Sequence, residues 1–168
     1  MITVMSGLQT GVDQAALAVA YDLGLPTGGY IPEGCLTLDG PRPDLKTKYN
    51  LIEFGQGYKP RTGKNVELAD LTLRIFSAKN SPGEICTMNW IKAHNKPFYD
   101  IDLNSYRKYN YRRKKSVIHA VVARLFWHCS DNGILNVAGN SEKTSPGIFK
   151  EAYDIINEVL LTYATEIH

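Results

Sequence analysis

Ser6-Gly-Leu-Gln-Thr-Gly11 is a run of small and polar residues between two segments of different character. Ahead of it, Ile2 to Met5 is short and β-rich. Behind it, Val12, Ala15, Ala16, Val19, Ala20 and Leu23 recur at intervals of three and four, which predicts a helix with one buried face. A strand-to-helix turn of this composition can aim backbone N–H groups at an anion, and the helix N-terminus adds a partial positive charge. The chemistry implied is the cradling of a phosphate-bearing or otherwise anionic small molecule, with Gly7, Leu8, Gln9, Thr10, Gly11 and Asp13 as its first wall. A purely local role is also open, because Thr10 followed by Asp13 reads as a capping box with a shorter acid. Neither G-x-G-x-x-G nor the Lys-Ser/Thr pair of a P-loop is present.

Two later turns share this chemistry. Ser77 to Gly83 and Gly139 to Gly147 are rich in Gly, Ser and Asn, and each precedes a predicted helix. In the first, Ser81 is a cap, Pro82 occupies the first helical position and Glu84 lies three residues beyond the cap. Arg61 is the candidate fixed cation, since its planar fork suits phosphate or carboxylate. Asn65, Asp70 and Asn136 are polar residues beside apolar runs. They either read a base or ribose or satisfy loop backbone groups. Glu33, Asp39, Asp70 and Glu84 are the carboxylates available for acid–base work, with Glu84 or Asp70 favoured if the chain is an enzyme.

These residues need elements to position them, and strands alternate with helical patterns along the chain. Thr27 to Ile31 predicts a short second strand, and Pro32 to Pro60 a long functional flap near the first loop, pinned by Tyr49, Phe54 and Tyr58. A helix follows over Arg61 to Ala69 with Thr62 as its cap. Asp70 to Phe76 is a third strand, Ser81 to His94 a helix and Lys96 to Ile101 a fourth strand. An apolar helix over Val117 to Cys129, a fifth strand over Gly133 to Gly139 and a last helix opened by Ser145-Pro146-Gly147 complete the chain. The pattern predicts an α/β fold, a Rossmann-like open parallel sheet with helices on both faces in a three-layer sandwich. All strand-to-helix turns then share the carboxyl edge, where such sheets bind ligands, so three helix N-termini are expected to converge there.

Composition narrows the classes. At 168 residues with 43% hydrophobic and 21% charged residues, the chain reads as one globular domain. No apolar run is long enough to span a membrane, and the N-terminus enters a strand without a signal peptide. Cys35, Cys86 and Cys129 lack C-x-x-C spacing, and His94, His119, His128 and His168 are scattered. A reducing, cytoplasmic location without disulfides or a metal site is therefore expected. A net charge of +2 does not by itself imply nucleic acid. Tyr106 to Lys115 is basic and tyrosine-bearing, which either stacks nucleic acid or forms a solvated stretch before a packed helix. The second is preferred, because the rest of the chain offsets the charge.

Ordered motifs point to a family. Gly7-Leu-Gln-Thr-Gly-Val-Asp-Gln-Ala-Ala-Leu17 resembles the G-G-Q-T-G-x-D-x-A-A-L motif of the putative molybdenum carrier family, a branch of the Rossmann-like SLOG superfamily that also holds lysine-decarboxylase-like phosphoribohydrolases. Gly24-Leu-Pro-Thr-Gly-Gly-Tyr30-Ile-Pro-Glu-Gly34, Asp39-Gly-Pro, Tyr58-Lys-Pro-Arg-Thr-Gly-Lys-Asn-Val66, Ala69-Asp-Leu-Thr-Leu and Leu135-Asn-Val-Ala-Gly-Asn-Ser-Glu with Pro146-Gly-Ile148 are similar to its later motifs. The resemblance spans the chain except about residues 103 to 132, which look like a basic helical insertion. It departs from the family at Ser81-Pro-Gly-Glu-Ile-Cys-Thr87, where a Gly-Gly-Thr turn is usual, and from the phosphoribohydrolases at Trp90, where they carry a glutamate.

The resemblance implies a nucleotide-derived ligand of ADP-ribose or cyclic-nucleotide type, or molybdenum cofactor. The expected site is Gly7 to Gly11, Asp13, Tyr30, Arg61, Thr62, Asn65, Ser77, Pro82, Gly83, Glu84, Thr87, Asn136, Gly139 and Asn140. A small-molecule sensor, carrier or sequestering protein is favoured, because the missing acid removes the expected general acid–base. The alternatives are a nucleotide N-glycosidic hydrolase and a nucleic-acid module. A homo-oligomer, dimer or tetramer, is expected, with the Val117 to Trp127 helix as a candidate interface.

Overall fold

The computed structural model describes residues 1–129 and 132–166; His168 lies outside them. The chain forms β1 (Thr3–Met5), α1 (Val12–Asp22), β2 (Thr27–Gly28), β3 (Tyr30–Ile31), β4 (Leu36–Thr37), β5 (Gly40–Pro41), α2 (Pro43–Lys48) and β6 (Ile52–Glu53). It continues through α3 (Tyr58–Leu68), β7 (Leu71–Phe76), α4 (Pro82–Ala93), β8 (Phe98–Asp102), α5 (Leu103–Tyr106), α6 (Tyr111–His128), β9 (Ile134–Gly139) and α7 (Ile148–Glu166).

Five strands make a parallel sheet in the order β2-β1-β9-β7-β8. β7 is buried along its whole length, as a central parallel strand covered on both faces must be. The steps β1 to β2 and β7 to β8 run in opposite directions across the sheet. Right-handed crossovers therefore send α1 and α4 to opposite faces. α6 and α7 join α1 on one side, and α3 packs beside α4 on the other, giving three layers. The reversal leaves a crevice at the carboxyl edge between the ends of β1 and β7, floored by β9.

The main core lies between the sheet and α1, α6 and α7, where Ile2, Val4, Ala16, Leu73, Val121, Leu135 and Ile156 are essentially inaccessible. A second cluster of Leu8, Leu17, Ile31, Cys35, Tyr49 and Leu51 binds the segment after β3 to the back of α1. No described helix is long and apolar enough to cross a membrane.

Several local expectations are corrected. The second strand breaks at Gly29, whose φ of 137° and close approach to the Ser6 carbonyl turn the chain out of the main sheet. β3 then pairs in parallel with β6. The segment from Pro32 to Pro60 is a small subdomain with a 3-10 turn, a β4–β5 hairpin, α2 and β6, instead of a flap without structure of its own. Of the proposed pins, Tyr49 is buried while Phe54 and Tyr58 are each 40% exposed. Helix α3 starts at Tyr58 behind Gly57, so Thr62 is not its cap; its hydroxyl donates to the Tyr58 carbonyl one turn back.

The basic stretch runs from the end of α5 through a turn into the start of α6, which is capped by Asn110 accepting from the Arg113 N–H. Its charges are partly tied down. Arg107 pairs with Glu151 and Lys115 with Glu158, both on α7, and Arg113 lies over the Tyr109 ring. The apolar side of α6 faces inward through Ile118, Val121, Val122 and Leu125, leaving Phe126 and Trp127 exposed.

Candidate ligand-binding cleft

A cleft of about 290 Å³ opens at the carboxyl edge, where β1, β7 and β9 end. Its walls come from the turn after β1, α3, the start of α4 and the segment from Asn136 to Thr144. Of the residues expected from sequence, Gly7, Gln9, Asp13, Arg61, Thr62, Asn65, Pro82, Gly83, Thr87, Asn136, Gly139 and Asn140 line it.

Arg61 and Asp13 form the centre of one wall. Arg61 Nη1 lies 3.3 Å from Asp13 Oδ2, with side chains 11% and 5% exposed. The guanidinium lies directly over Gly7: a Cβ there would meet Nη1 at 1.3 Å, so only glycine leaves room for the pair. Burial pushes the Asp13 carboxyl up, and the charge of Arg61 and the Gln9 N–H pull it back. Arg61 Nε is enclosed without an acceptor among the described residues.

The turn after β1 spends much of its polarity on itself. The Gln9 N–H donates to Asp13, the Thr10 N–H to Gln9 Oε1 and the Val12 N–H to the Asn140 carbonyl. The proposed Thr10–Asp13 box is therefore replaced by a Gln9–Asp13 bond, with Gly11 as the residue ahead of α1. Leu8, at φ 67°, points into the second core cluster and is not in the cleft wall. Thr10 and Gly11 also lie outside the wall; Thr10 Oγ1 is buried without a partner among the described residues, and Gly11 packs on the Asn140 backbone.

The three helix N-termini do not contribute equally. α4 brings Pro82 and Gly83 into the wall, with Ser81 as its cap accepting from the Glu84 N–H. At α7, the Glu142 carboxylate accepts from the Gly147 and Phe149 N–H groups, both at 2.7 Å, so that terminus already holds an anion. At α1, the Val12 N–H donates to the Asn140 carbonyl and the Gln14 N–H to the Gln9 carbonyl, so those amides are already paired. The expectation of three open N-termini is thus reduced to one.

Glu84 and Asp70 are corrected as acid–base candidates. The Glu84 side chain is 1% exposed and turns under the sheet to Arg74 at 3.3 Å, outside the cleft wall. Arg74 also forks onto Asp100 through Nε and Nη2 at 2.8 and 2.6 Å. One cation serves two carboxylates, and the more buried one is pushed up to about 7, by burial first and by Asp13 and Asp100 in addition. Asp70 precedes β7 at the amino edge, where it accepts from the Ile134 N–H. Asp13 is the one carboxylate among the described residues of the wall.

The amides divide between scaffold and wall. Asn65 uses both amide atoms on the Tyr30 backbone, at 2.7 and 3.0 Å, which fastens β3 to α3. Asn140 accepts from the Ser77 and Ala78 N–H groups and donates to the Ala78 carbonyl and Ser81 Oγ, tying β9 to the loop before α4. Asn136 bonds Thr72 on the neighbouring strand at the cleft floor. Tyr30 packs its ring on Phe54, and Ser77 shares a hydrogen bond with Ser145; both lie outside the wall.

Sequence reasoning missed Leu38, Val137, Ala138, Ser141, Lys143 and Thr144 as wall residues, and placed Tyr58 only as a pin and Ser81 only as a cap. The hairpin tip reaches the site because the Leu38 N–H donates to Gln9 Oε1 at 2.8 Å. The available signal for Lys143 was its position in the turn following the last strand. Among the described residues, no group of three His, Cys, Asp or Glu side chains converges as metal ligands would.

A sequence profile described as the circularly permutated YpsA SLOG family matches residues 4–160. The structure is similar to the crystal structure of a putative molybdenum carrier protein from Syntrophus aciditrophicus SB. The TM-score is 0.78 at 29% identity, over 96% of this chain and 93% of that one. No curated protein matches the chain. With the profile covering nearly the whole length and the sheet, the glycine turn and the cleft in place, the chain belongs to the circularly permutated YpsA SLOG family.

Proposed function

We propose that the protein holds a phosphate-bearing heterocyclic small molecule in the carboxyl-edge cleft, as a carrier, sensor or sequestering protein. The observation that carries the proposal is the Arg61–Asp13 pair. A largely buried guanidinium lies in the cleft wall, anchored to Asp13 through Nη1, and the carboxylate beside it is already spent on it. Binding is favoured over cleavage because Glu84, the best acid–base candidate, is enclosed behind Arg74 and away from the wall.

The volume of about 290 Å³ lies at the lower end of small-molecule sites. It suits a mononucleotide or a pterin-sized group better than an extended ligand such as ADP-ribose. The similarity to a putative molybdenum carrier protein favours a second, narrower reading, in which the cargo is molybdenum cofactor. The wall offers such cargo hydrogen bonds and Arg61, so it would be held by its heterocycle and anionic oxygens.

Mass spectrometry of small molecules released from the denatured, purified protein tests this. The expected result is a phosphate-bearing heterocycle, present at near-stoichiometric amounts and lost from an Arg61→Gln variant. An extract without any anionic small molecule, together with no thermal shift from nucleotides or pterin phosphates, would overturn it.

A further inference from the structure

We infer that Lys143 is the clamp for the anionic group of the ligand, on a turn ordered in advance to present it. The inference rests on the binding role proposed above and goes beyond it by assigning the ligand's charged end to the turn after β9. Lys143 lines the cleft, is exposed, and has no carboxylate within ion-pair distance among the described residues. The other cation of the wall, Arg61, meets Asp13 through Nη1, so its charge is partly offset before any ligand arrives. Other lysines, such as Lys79 and Lys92, also stand apart from carboxylates; what distinguishes Lys143 is that it is the one lysine among the described residues of the cleft wall.

The backbone under Lys143 is fixed from several directions. The Ser145 N–H donates to the Ser141 carbonyl, and the Ser141 and Thr144 hydroxyls share a hydrogen bond. Ser145 Oγ is held by Ser77 Oγ at 2.6 Å. Glu142, the turn's own acid and the group best placed to neutralise Lys143, is withdrawn onto the Gly147 and Phe149 N–H groups. The turn thus spends its negative charge on α7 and leaves its positive charge at the cleft. An unpaired ammonium on a flexible stem and a rigid base can close on a phosphate without first breaking an internal ion pair. Entropy is lost mainly in the lysine side chain.

The test measures binding of AMP and GMP, and of adenosine and guanosine, to the full-length protein by calorimetry. The variants are Lys143→Ala, Lys143→Arg and Lys150→Ala, the last removing a lysine outside the cleft. If Lys143 clamps the anion, Lys143→Ala weakens the monophosphates by about 10- to 100-fold, the range of a hydrogen bond to a charged group. The nucleosides are unaffected, Lys143→Arg keeps most of the affinity, and Lys150→Ala matches wild type. The melting temperature of Lys143→Ala stays at the wild-type value, because the side chain has no ion-pair partner among the described residues. Wild-type binding of a monophosphate that Lys143→Ala leaves unchanged overturns the clamp while leaving the binding role intact. Absence of wild-type binding to every monophosphate removes the mononucleotide ligand and the clamp with it.

Discussion

Changing Glu84 to Gln should make the protein less sensitive to pH in a predictable direction. Glu84 and Asp100 compete for Arg74, and Asp100 holds the better geometry, a two-point contact at 2.8 and 2.6 Å. Glu84 is the more enclosed, at 1% side-chain exposure against 27%, so the proton goes to it, and its carboxyl rises from an ordinary 4.5 to about 7. A raised acid binds its proton more tightly in the folded chain than in the unfolded one. Its stabilising share is therefore complete below pH 4.5 and is lost as the pH climbs through about 7. At 1.36 kcal/mol per unit, that loss is on the order of 3 kcal/mol. The Gln variant keeps an amide oxygen for Arg74 and carries no charge at any pH. The assay is urea unfolding of both proteins from pH 4.5 to 8, compared as a difference curve so that other titrating groups largely cancel. Wild type should lose stability relative to Glu84→Gln as the pH rises across this window. A flat difference curve, or a wild type that gains on the variant, would refute the account of one guanidinium shared by two carboxylates.

Arg61→Leu leaves Asp13 buried without its cation and should cost about 3–5 kcal/mol by chemical denaturation. Adding Asp13→Asn should recover part of that stability but not ligand affinity, and equal stability of the single and double variants would count against a buried pair. Asn140→Ala removes the acceptor for the Ser77 and Ala78 N–H groups. At about 1–3 kcal/mol for each amide left unpaired, a loss above 2 kcal/mol is expected, with faster hydrogen exchange at those two amides. Gly29→Ala forces a Cβ to within 2.1 Å of the Ser6 carbonyl at a φ of 137°. It should lower the melting temperature by several degrees and disturb β2–β1 pairing in amide spectra, whereas Gly83→Ala, which meets nothing within 4 Å, should not. Arg107→Ala removes an exposed pair with Glu151 and should change stability by less than about 1 kcal/mol.

The alternation of apolar strands with three- and four-spaced helices determined the layered parallel sheet, because strands buried on both faces need helices to cover each side, although one face of β7 and β9 carries the buried polar residues Thr72, Arg74 and Asn136. Ser81-Pro82 marked the start of α4 for a similarly local reason, since a cap and a first-turn proline act within one turn. Ordered glycine motifs carried the family, whereas the part Gly7 plays in admitting the Arg61 guanidinium was not legible before the fold was known. The subdomain at Pro32 to Pro60 was hidden because its strands are two residues long and its order comes from burying Tyr49 and Leu51 against Leu8 and Leu17.

Whether a polar side chain near the cleft faced it was decided by tertiary structure alone. Glu84 and Glu142 each sit beside a glycine-bearing turn at the carboxyl edge, and of the two only Glu84 was expected as a ligand contact. The fold turned one to Arg74 and the other to the first amides of α7. Asn65 and Asn140 were likewise drawn to backbone groups from distant segments, because buried amides and carbonyls must be paired. Sequence spacing fixes which edge a residue reaches. Which acceptor or cation meets it there depends on long-range packing, and that competition left Arg61 tied to Asp13 and Lys143 open to the cleft.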